Sequence, residues 1–255
     1  MRLTRVVVAA TAVAAIAGLG GCGTGPDASS GASSAATAPS TPADPSAELS
    51  AAAEKLAETT AKLTLTAAGT SAAGVFDPGG QRVELTMTVG SGGQLVIRQI
   101  GDDLFVRTDE SMARALGATP GKWLHTDLSQ VPETSPLNPK NNDPRNTARL
   151  LAASTEVTRS GDHAFTGTLD LTKSPTGNPA ALKAMGDKAK AVPFSATTDA
   201  DGRLTSITID MESVVPGAGQ VKTEYSDFGV PVSLEAPPAS QVAEMPARFR
   251  QALGG

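Results

Sequence analysis

Two histidines and several neighbouring aspartates are the side chains of this chain that could do acid–base or metal chemistry. A catalytic triad around His125 or His163 would need a serine and an aspartate that meet only in three dimensions, so a hydrolase stays open as a minor alternative. Asp199 and Asp201 lie in a short turn that lacks the later oxygen ligands of a calcium loop. The pattern favours turn and strand-end residues, with no metal site and no catalytic residue.

Composition argues against several classes of function. The chain has 255 residues, a formal net charge of -5, 18% charged residues and 3% aromatic residues. Nucleic-acid binding relies on basic patches and stacking aromatics, so we expect no nucleic-acid partner. The sequence contains no G-x-S-x-G, S-x-x-K, H-E-x-x-H or P-loop motif. We therefore expect a protein that is not an enzyme and needs no cofactor.

The single cysteine, Cys22, follows a leader that is typical of a bacterial lipoprotein. Arg2 and Arg5 make its start cationic, and residues 6–19 carry no charge but are too few to span a bilayer as a helix. Leu19-Gly-Gly-Cys22 has the lipobox spacing, with an aliphatic residue three positions before the cysteine. The alternative is an ordinary secretory leader with a chance cysteine. The lipobox predicts a diacylglycerol-modified Cys22 that anchors the protein at the extracytoplasmic face of the cell membrane.

Composition divides the chain into three segments. Residues 1–21 form the predicted signal peptide, and residues 22–45 contain Cys22 followed by Gly, Ala, Ser, Thr and Pro almost throughout. Such a segment cannot bury enough apolar surface to offset its chain entropy, so we predict a disordered tether. Residues 46–255 form the predicted folded domain.

Alternating apolar residues predict many strands in this domain. The clearest alternation covers Val83–Val89, Phe165–Leu171 and Ile207–Met211, and weaker strands are predicted at 62–69, 74–77, 94–100, 103–107, 122–127, 192–198 and 221–228. Tight turns rich in Asp and Gly separate several of them and make neighbouring strands antiparallel. Asp44-Pro45, Asp143-Pro144 and Asn178-Pro179 predict three helix starts.

These elements predict an α+β fold. Its centre is a single long twisted antiparallel sheet that forms an open half-barrel, with short helices packed on its apolar, concave face and water on the other face. Residues 131–142 contain three prolines and are expected to form a surface loop that acts as a flap over the sheet.

Several motifs, in order along the mature domain, resemble actinobacterial lipoproteins of the LppX/LprG type. They are Gly101-Asp-Asp-Leu-Phe-Val106, Gly121-Lys-Trp123, Asp199-Ala-Asp-Gly-Arg-Leu204, Tyr225-Ser-Asp-Phe-Gly229 and Pro231–Pro237, together with the lipobox and the tether. Each motif alone is a turn followed by a strand, so the resemblance depends on their sum. The family resembles the LolA/LolB carriers, which implies a lipid-binding domain with an apolar cavity between sheet and helices.

The leading hypothesis is a lipid-anchored protein that binds or carries a lipid or lipid-linked glycan without catalysis. Small side chains leave room beneath a curved sheet, and methionines adapt to ligands of variable shape. The candidate lining residues are Leu56, Leu85, Met87, Val89, Ile97, Leu150, Phe165, Leu169, Leu182, Met185, Phe194, Ile207, Ile209 and Met211. We expect a monomer whose partners are the ligand, the cell membrane through Cys22 and a membrane transporter. The alternative is a surface lipoprotein with a closed core that modulates a membrane-protein or cell-wall partner.

Overall fold

A computed structural model describes residues 44–90, 93–131, 135, 138, 144–174 and 179–254, all within one compact unit, Pro42–Gly255. The strands are β1 Ala61–Ala67, β2 Thr70–Asp77, β3 Arg82–Val89, β4 Gly93–Ile100, β5 Asp103–Thr108, β6 Trp123–Asp127, β7 Thr155–Gly161, β8 Ala164–Leu169, β9 Val192–Thr198, β10 Leu204–Asp210, β11 Gln220–Ser226 and β12 Val242–Glu244. The helices are α1 Pro45–Glu54, α2 Glu110–Ala115, α3 Pro144–Ala152, α4 Pro179–Met185 and α5 Ala247–Gly254. Short 3-10 helices span Lys55–Ala57, Leu128–Gln130, Leu171–Lys173, Gly186–Lys190 and Ala239–Gln241.

All twelve of these strands belong to one sheet, in the order β12-β6-β5-β4-β3-β2-β1-β11-β10-β9-β8-β7. Neighbouring strands are antiparallel except β12, which pairs with β6 in parallel. The prediction of a single large antiparallel sheet with a few short helices is therefore confirmed. Strand β11 lies between β1 and β10. It therefore joins the strands β1–β6 to the strands β7–β10 within the same sheet.

The three predicted helix starts are confirmed, because helices begin at Pro45, Pro144 and Pro179. The side chain of Asp44 caps α1 by accepting a hydrogen bond of 3.0 Å from the backbone N–H of Ser46. Proline suits the first helical position because its missing N–H would have no partner there.

Strand register divides the side chains between two faces. Leu63 pairs with Gly74, Gly74 with Leu85, Leu85 with Ile97, and this row continues through Val106 to Leu124. Directly paired residues share a face. This face, called the apolar face below, therefore carries the predicted alternating apolar residues. On β1 the other face carries Lys62, Thr64 and Thr66.

Two hydrophobic clusters contain most of the buried side chains. Cluster 1 joins Leu49, Ala52, Ala53 and Leu56 of the first helical segment to apolar-face residues of β1, β2 and β8–β11, with Ala148 and Leu151 of α3. Cluster 2 joins Ala113 of α2, Met245 and Phe249 to apolar-face residues of β4, β5 and β6. Helix α5 is thus held in place by Phe249, which is 1% exposed.

The opposite face is not uniformly wet, which corrects the expectation from alternation. Phe105 and Trp123 lie on it and are only 6% and 4% exposed. The segment that follows β11 reaches this face. It runs from Gly229 to Pro238, and we call it the C-terminal strap; Arg98 of this face donates a hydrogen bond of 2.8 Å to the Glu235 carbonyl within it.

Some predicted boundaries also differ from the structure. Strand β8 ends at Leu169 and β10 at Asp210, so Leu171 and Met211 lie just beyond the strands to which they were assigned. Strands β7 and β12 and helix α2 were not predicted. Most of the proline-containing loop lies outside the described residues, but Val131, Ser135 and Asn138 are buried, so at these positions the loop is not a surface segment.

Candidate functional site

A band of incompletely covered apolar residues crosses the apolar face. Its members are half-buried and lie on six adjacent strands: Ile209, Val221, Leu65, Ala72, Met87 and Leu95. Register joins four of them directly, since Leu65 pairs with Ala72, Ala72 with Met87, and Met87 with Leu95. Ile209 and Val221 form a second pair, and on β11 the direct partner of Leu65 is Thr223, so the two groups adjoin diagonally. We call this set the central band.

The central band connects the two hydrophobic clusters. Ile209 packs against cluster 1, and Met87 and Leu95 pack against cluster 2. In the part of the chain that the structure describes, Leu65, Ala72 and Val221 belong to neither cluster. In the next row along the strands, Leu85 and Ile97 are buried, whereas Leu63 and Gly74 are half-buried. The apolar face is therefore covered at both sides of the sheet and less covered at the middle, towards one end of the strands.

Most of the predicted lining residues lie on this face or against it. Leu56, Phe165, Leu169, Phe194 and Ile207 are buried members of cluster 1, and Leu150 and Ile209 pack against them. Ile97 is a buried member of cluster 2, and Met87 packs against that cluster. Leu85 is buried on β3, between β2, which contributes to cluster 1, and β4, which contributes to cluster 2. Val89 pairs with Thr70 and Gly93 at the end of β3.

The remaining predicted residues are placed less centrally. Leu182 and Met185 are half-buried on α4, and Met211 is half-buried directly after β10. Cys22 lies outside the described residues. Four residues of the central band were missed as candidates: Leu65, Ala72, Leu95 and Val221. All but Ala72 lie in strands that the sequence predicted, and the apolar alternation within those weaker strands could have indicated them.

Gly74 permits an unusually close approach of β2 and β3 beside the central band. A Cβ atom at this position would overlap the carbonyl oxygen of Glu84 and lie 2.8 Å from Cδ2 of Leu85. Glycine inside a strand is typical of bends and of close backbone contacts. The sheet is therefore locally distorted between the covered and the less covered parts of its apolar face.

The opposite face carries a compact polar and aromatic cluster. The guanidinium groups of Arg98 and Arg107 lie 4.8 Å and 4.6 Å from the centre of the Trp123 ring. Arg98 also donates a hydrogen bond of 2.6 Å from Nε to Glu84 Oε2. Such contacts cover a tryptophan ring with side chains that keep their charge near water. We interpret this cluster as packing that holds strands β3–β6 together.

His125 does not meet the groups that a catalytic triad requires among the described residues. Its Nε2 lies 2.6 Å from Asp103 Oδ1, and its ring lies against Phe105 with the ring centres 5.0 Å apart. His163 is exposed in the turn between β7 and β8.

The perturbed carboxylates are mostly turn and cap residues. Hydrogen bonds from the hydroxyls of Ser111, Ser129 and Thr172 lower the pKa values of Asp109, Asp127 and Asp170, respectively. Burial raises the pKa of Tyr225, whose hydroxyl lies 3.4 Å from Thr147 Oγ1. These shifts follow from local hydrogen bonding and packing rather than from a shared site.

No group of three or more His, Cys, Asp or Glu side chains among the described residues is arranged to hold a metal ion. No helix among them is long and apolar enough to cross a membrane.

Comparison with known proteins adds no relative. No family model matches the chain. No curated protein matches it either.

Proposed function

We propose that this protein is a lipid-anchored carrier that binds a lipid or lipid-linked glycan through hydrocarbon chains laid along the central band. It works at the extracytoplasmic face of the cell membrane, is anchored through acylated Cys22, and performs no catalysis. The resemblance to LppX/LprG lipoproteins and the LolA-like fold that it implies belong to this proposal. The observation that carries it is the band of six half-buried apolar residues between two buried clusters.

The shape that this function needs is an open half-barrel with the helices on its concave, apolar face. The buried residues of α1 and α2 share clusters with apolar-face residues of the strands, which supports that placement of the helices. The close approach of β2 and β3 at Gly74 supports a strongly curved sheet, because glycine at such positions is a common means of bending strands.

The central band can supply binding free energy of a useful size. Apolar area removed from water contributes about 25 cal/mol per Å2. An acyl chain that covers a few hundred Å2 of the band and of itself would gain several kcal/mol before the costs of association. Met87 can adapt its side chain to ligands of different shape, as flexible methionines do at other apolar binding surfaces.

A matched pair of substitutions on β2 tests the proposal. Ala72 points into the central band, whereas Ala73, its neighbour, points to the opposite face and is exposed. The protein to use is the compact unit from Pro42 to Gly255, which lacks the predicted anchor. The measurements are displacement of a fluorescent fatty acid and mass spectrometry of lipids that are extracted from the purified protein.

We expect Ala72→Phe to weaken binding of the fluorescent fatty acid strongly, because the added ring occupies the band. Ala73→Phe should bind as the parent does. Circular dichroism and melting temperature check that both variants fold. A parent protein that carries no lipid and fails to bind the fatty acid would refute the proposal and leave the alternative of a partner-modulating lipoprotein.

A further inference from the structure

Three hairpin turns lie side by side at one end of the central strands. They join β1 to β2, β3 to β4 and β10 to β11, and the six strands are contiguous in the sheet. Register places the turns at the same end, since Ala67 pairs with Thr70, Thr70 with Val89, and Val89 with Gly93. Thr66 pairs with Lys222 near the start of β11, which brings the third turn alongside. We call the described residues 68–69, 90 and 211–219 the turn surface.

The turn surface carries a single charged residue, and Asp210, the last residue of β10, borders it. Its members are Ala, Gly, Ser, Val, Pro and Met apart from Glu212. The Glu212 carboxylate accepts hydrogen bonds from the backbone N–H groups of Gly217 and Gly219, at 2.9–3.0 Å. This carboxylate therefore fixes the shape of its own loop, and its charge is partly compensated by N–H dipoles.

The opposite end of the strands is acidic. Asp102, Asp162, Asp199, Asp201 and Asp227 lie in its connections, and Asp77, Asp103 and Asp127 are the strand residues at this end. Three of these aspartates are paired, Asp227 with Lys62 and both Asp199 and Asp201 with Arg203. Flanking connections at the end that bears the turn surface, such as α2 between β5 and β6, carry charges of both signs. The patch with few charges is thus confined to the middle of one end.

The turn surface also exposes apolar side chains. Val215 is 38% exposed, and its neighbour Val214 is buried beneath it at 7%. Ala68, Pro216 and Gly217 are exposed as well. In the described part of the chain the other exposed large hydrophobic residue is Val230, at 51%, and it begins the C-terminal strap near the acidic end.

We propose that the turn surface rests on the surface of a phospholipid bilayer and that the acidic end points away from it. This inference depends on the proposed function, because it names the membrane as the place where the carrier loads and unloads. Aspartates would be repelled by anionic headgroups, whereas a mostly apolar tip whose one carboxylate is bonded to N–H groups of its own loop can enter the boundary between headgroups and acyl chains.

The position of the central band supports this orientation. Leu65 and Ala67 follow one another on the apolar face of β1, and Ala67 is the last strand residue before the first turn. Ile209 and Val221 are paired and lie one residue from the ends of β10 and β11 that border the third turn. A hydrocarbon chain that leaves the bilayer at the turn surface therefore meets the central band after one residue pair, with little exposure to water.

The test is a comparison of two labelled positions in the anchored protein. Cys22 is the chain's single cysteine, and acylation consumes its thiol. Val215→Cys and Val230→Cys therefore each offer one site for a fluorescent label, at opposite ends of the sheet. Both proteins are reconstituted in phosphatidylcholine vesicles that contain a lipid-linked quencher, and Ala68→Cys serves as a second position on the turn surface.

We expect the quencher to reduce label fluorescence at residues 215 and 68 several-fold more than at residue 230. Equal quenching at the three positions, stronger quenching at 230, or no quenching at any of them would overturn the proposed contact. Displacement of fluorescent fatty acid from the same unlabelled protein tests the carrier function separately. A protein that binds fatty acid but shows no preferential quenching retains its proposed function and loses this orientation.

Discussion

The substitution Gly74→Ala directly tests the local geometry on which the proposed shape of the sheet depends. Gly74 lies in the middle of β2 and pairs with Leu63 of β1 and Leu85 of β3. An added Cβ would overlap the Glu84 carbonyl oxygen and lie 2.8 Å from Leu85 Cδ2. Because the obstacle includes backbone, β2 and β3 must move apart to admit even one methyl group.

The expected cost follows from two opposing effects. Overpacking of this kind destabilises a folded protein by about 1–3 kcal/mol. Alanine restricts the unfolded chain more than glycine does, and this returns about 0.4–1 kcal/mol. With the obstacle in the backbone we expect a net loss of about 2 kcal/mol, which lowers the melting temperature of a domain of this size by about 4–8 °C.

The control for this experiment is Gly79→Ala in the turn between β2 and β3. There the nearest atom to an added Cβ is Asp77 Oδ1 at 3.7 Å, an ordinary contact. Its free energy of unfolding should change by no more than about 0.5 kcal/mol, with a correspondingly small shift in melting temperature. Thermal unfolding followed by circular dichroism measures both variants. A Gly74→Ala protein as stable as its parent would refute the close approach of the strands and remove the support it gives to a curved sheet.

Two further variants test other parts of the fold. Phe249→Ala should destabilise the protein by about 3–5 kcal/mol in urea unfolding, because Phe249 is 1% exposed within cluster 2. The control Arg248→Ala changes an exposed residue and should leave stability unchanged. Equal effects of the two substitutions would contradict the anchoring of α5. Hydrogen bonds from the backbone N–H groups of Gly217 and Gly219 lower the pKa of Glu212 below the ordinary glutamate value of 4.5. The stability that this carboxylate contributes is therefore present above pH 4.5 and is lost as the pH falls below that value. Glu212→Gln should therefore reduce the loss of melting temperature on acidification, and an unchanged acid profile would show that this carboxylate contributes nothing.

The sequence predicted the sheet well because its signals are local. Alternation in Val83–Val89 and Ile207–Asp210, together with tight turns rich in Asp and Gly, specifies antiparallel neighbours without knowledge of distant contacts. The Asp-Pro and Asn-Pro pairs indicated helix starts in the same way. Such patterns depend on the side-chain period of two and on capping, both of which a single sequence displays.

The parts that were missed depend on contacts between distant segments. Strand β12 has three residues, and its pairing with β6 is parallel, so neither length nor a hairpin turn indicates it. Strand β7 is exposed at nearly every position and therefore shows no apolar alternation. Phe105 and Trp123 are buried on the face that alternation assigns to water. Arg98 and Arg107 cover the Trp123 ring, and Arg98 also bonds to the C-terminal strap, which comes from a distant part of the chain.

The candidate site has the same limit for a more specific reason. Alternation assigns Leu65, Ala72 and Leu85 to one face but says nothing of how completely each is covered, because coverage depends on where the helices stop. In the structure Leu85 is buried, whereas Ala72 and Leu65 are half-buried. Ala72 of β2 pairs with Leu65 of β1, and Leu85 of β3 pairs with Gly74, two residues further along β2. On β2, β3 and β4 the coverage falls along the strands, from buried Phe76, Leu85 and Ile97 to half-buried Ala72, Met87 and Leu95 nearer the turn surface. An apolar face that becomes less covered towards an end with few charges is what a carrier needs if its ligand is to enter from a membrane, so the two proposals depend on one gradient of burial.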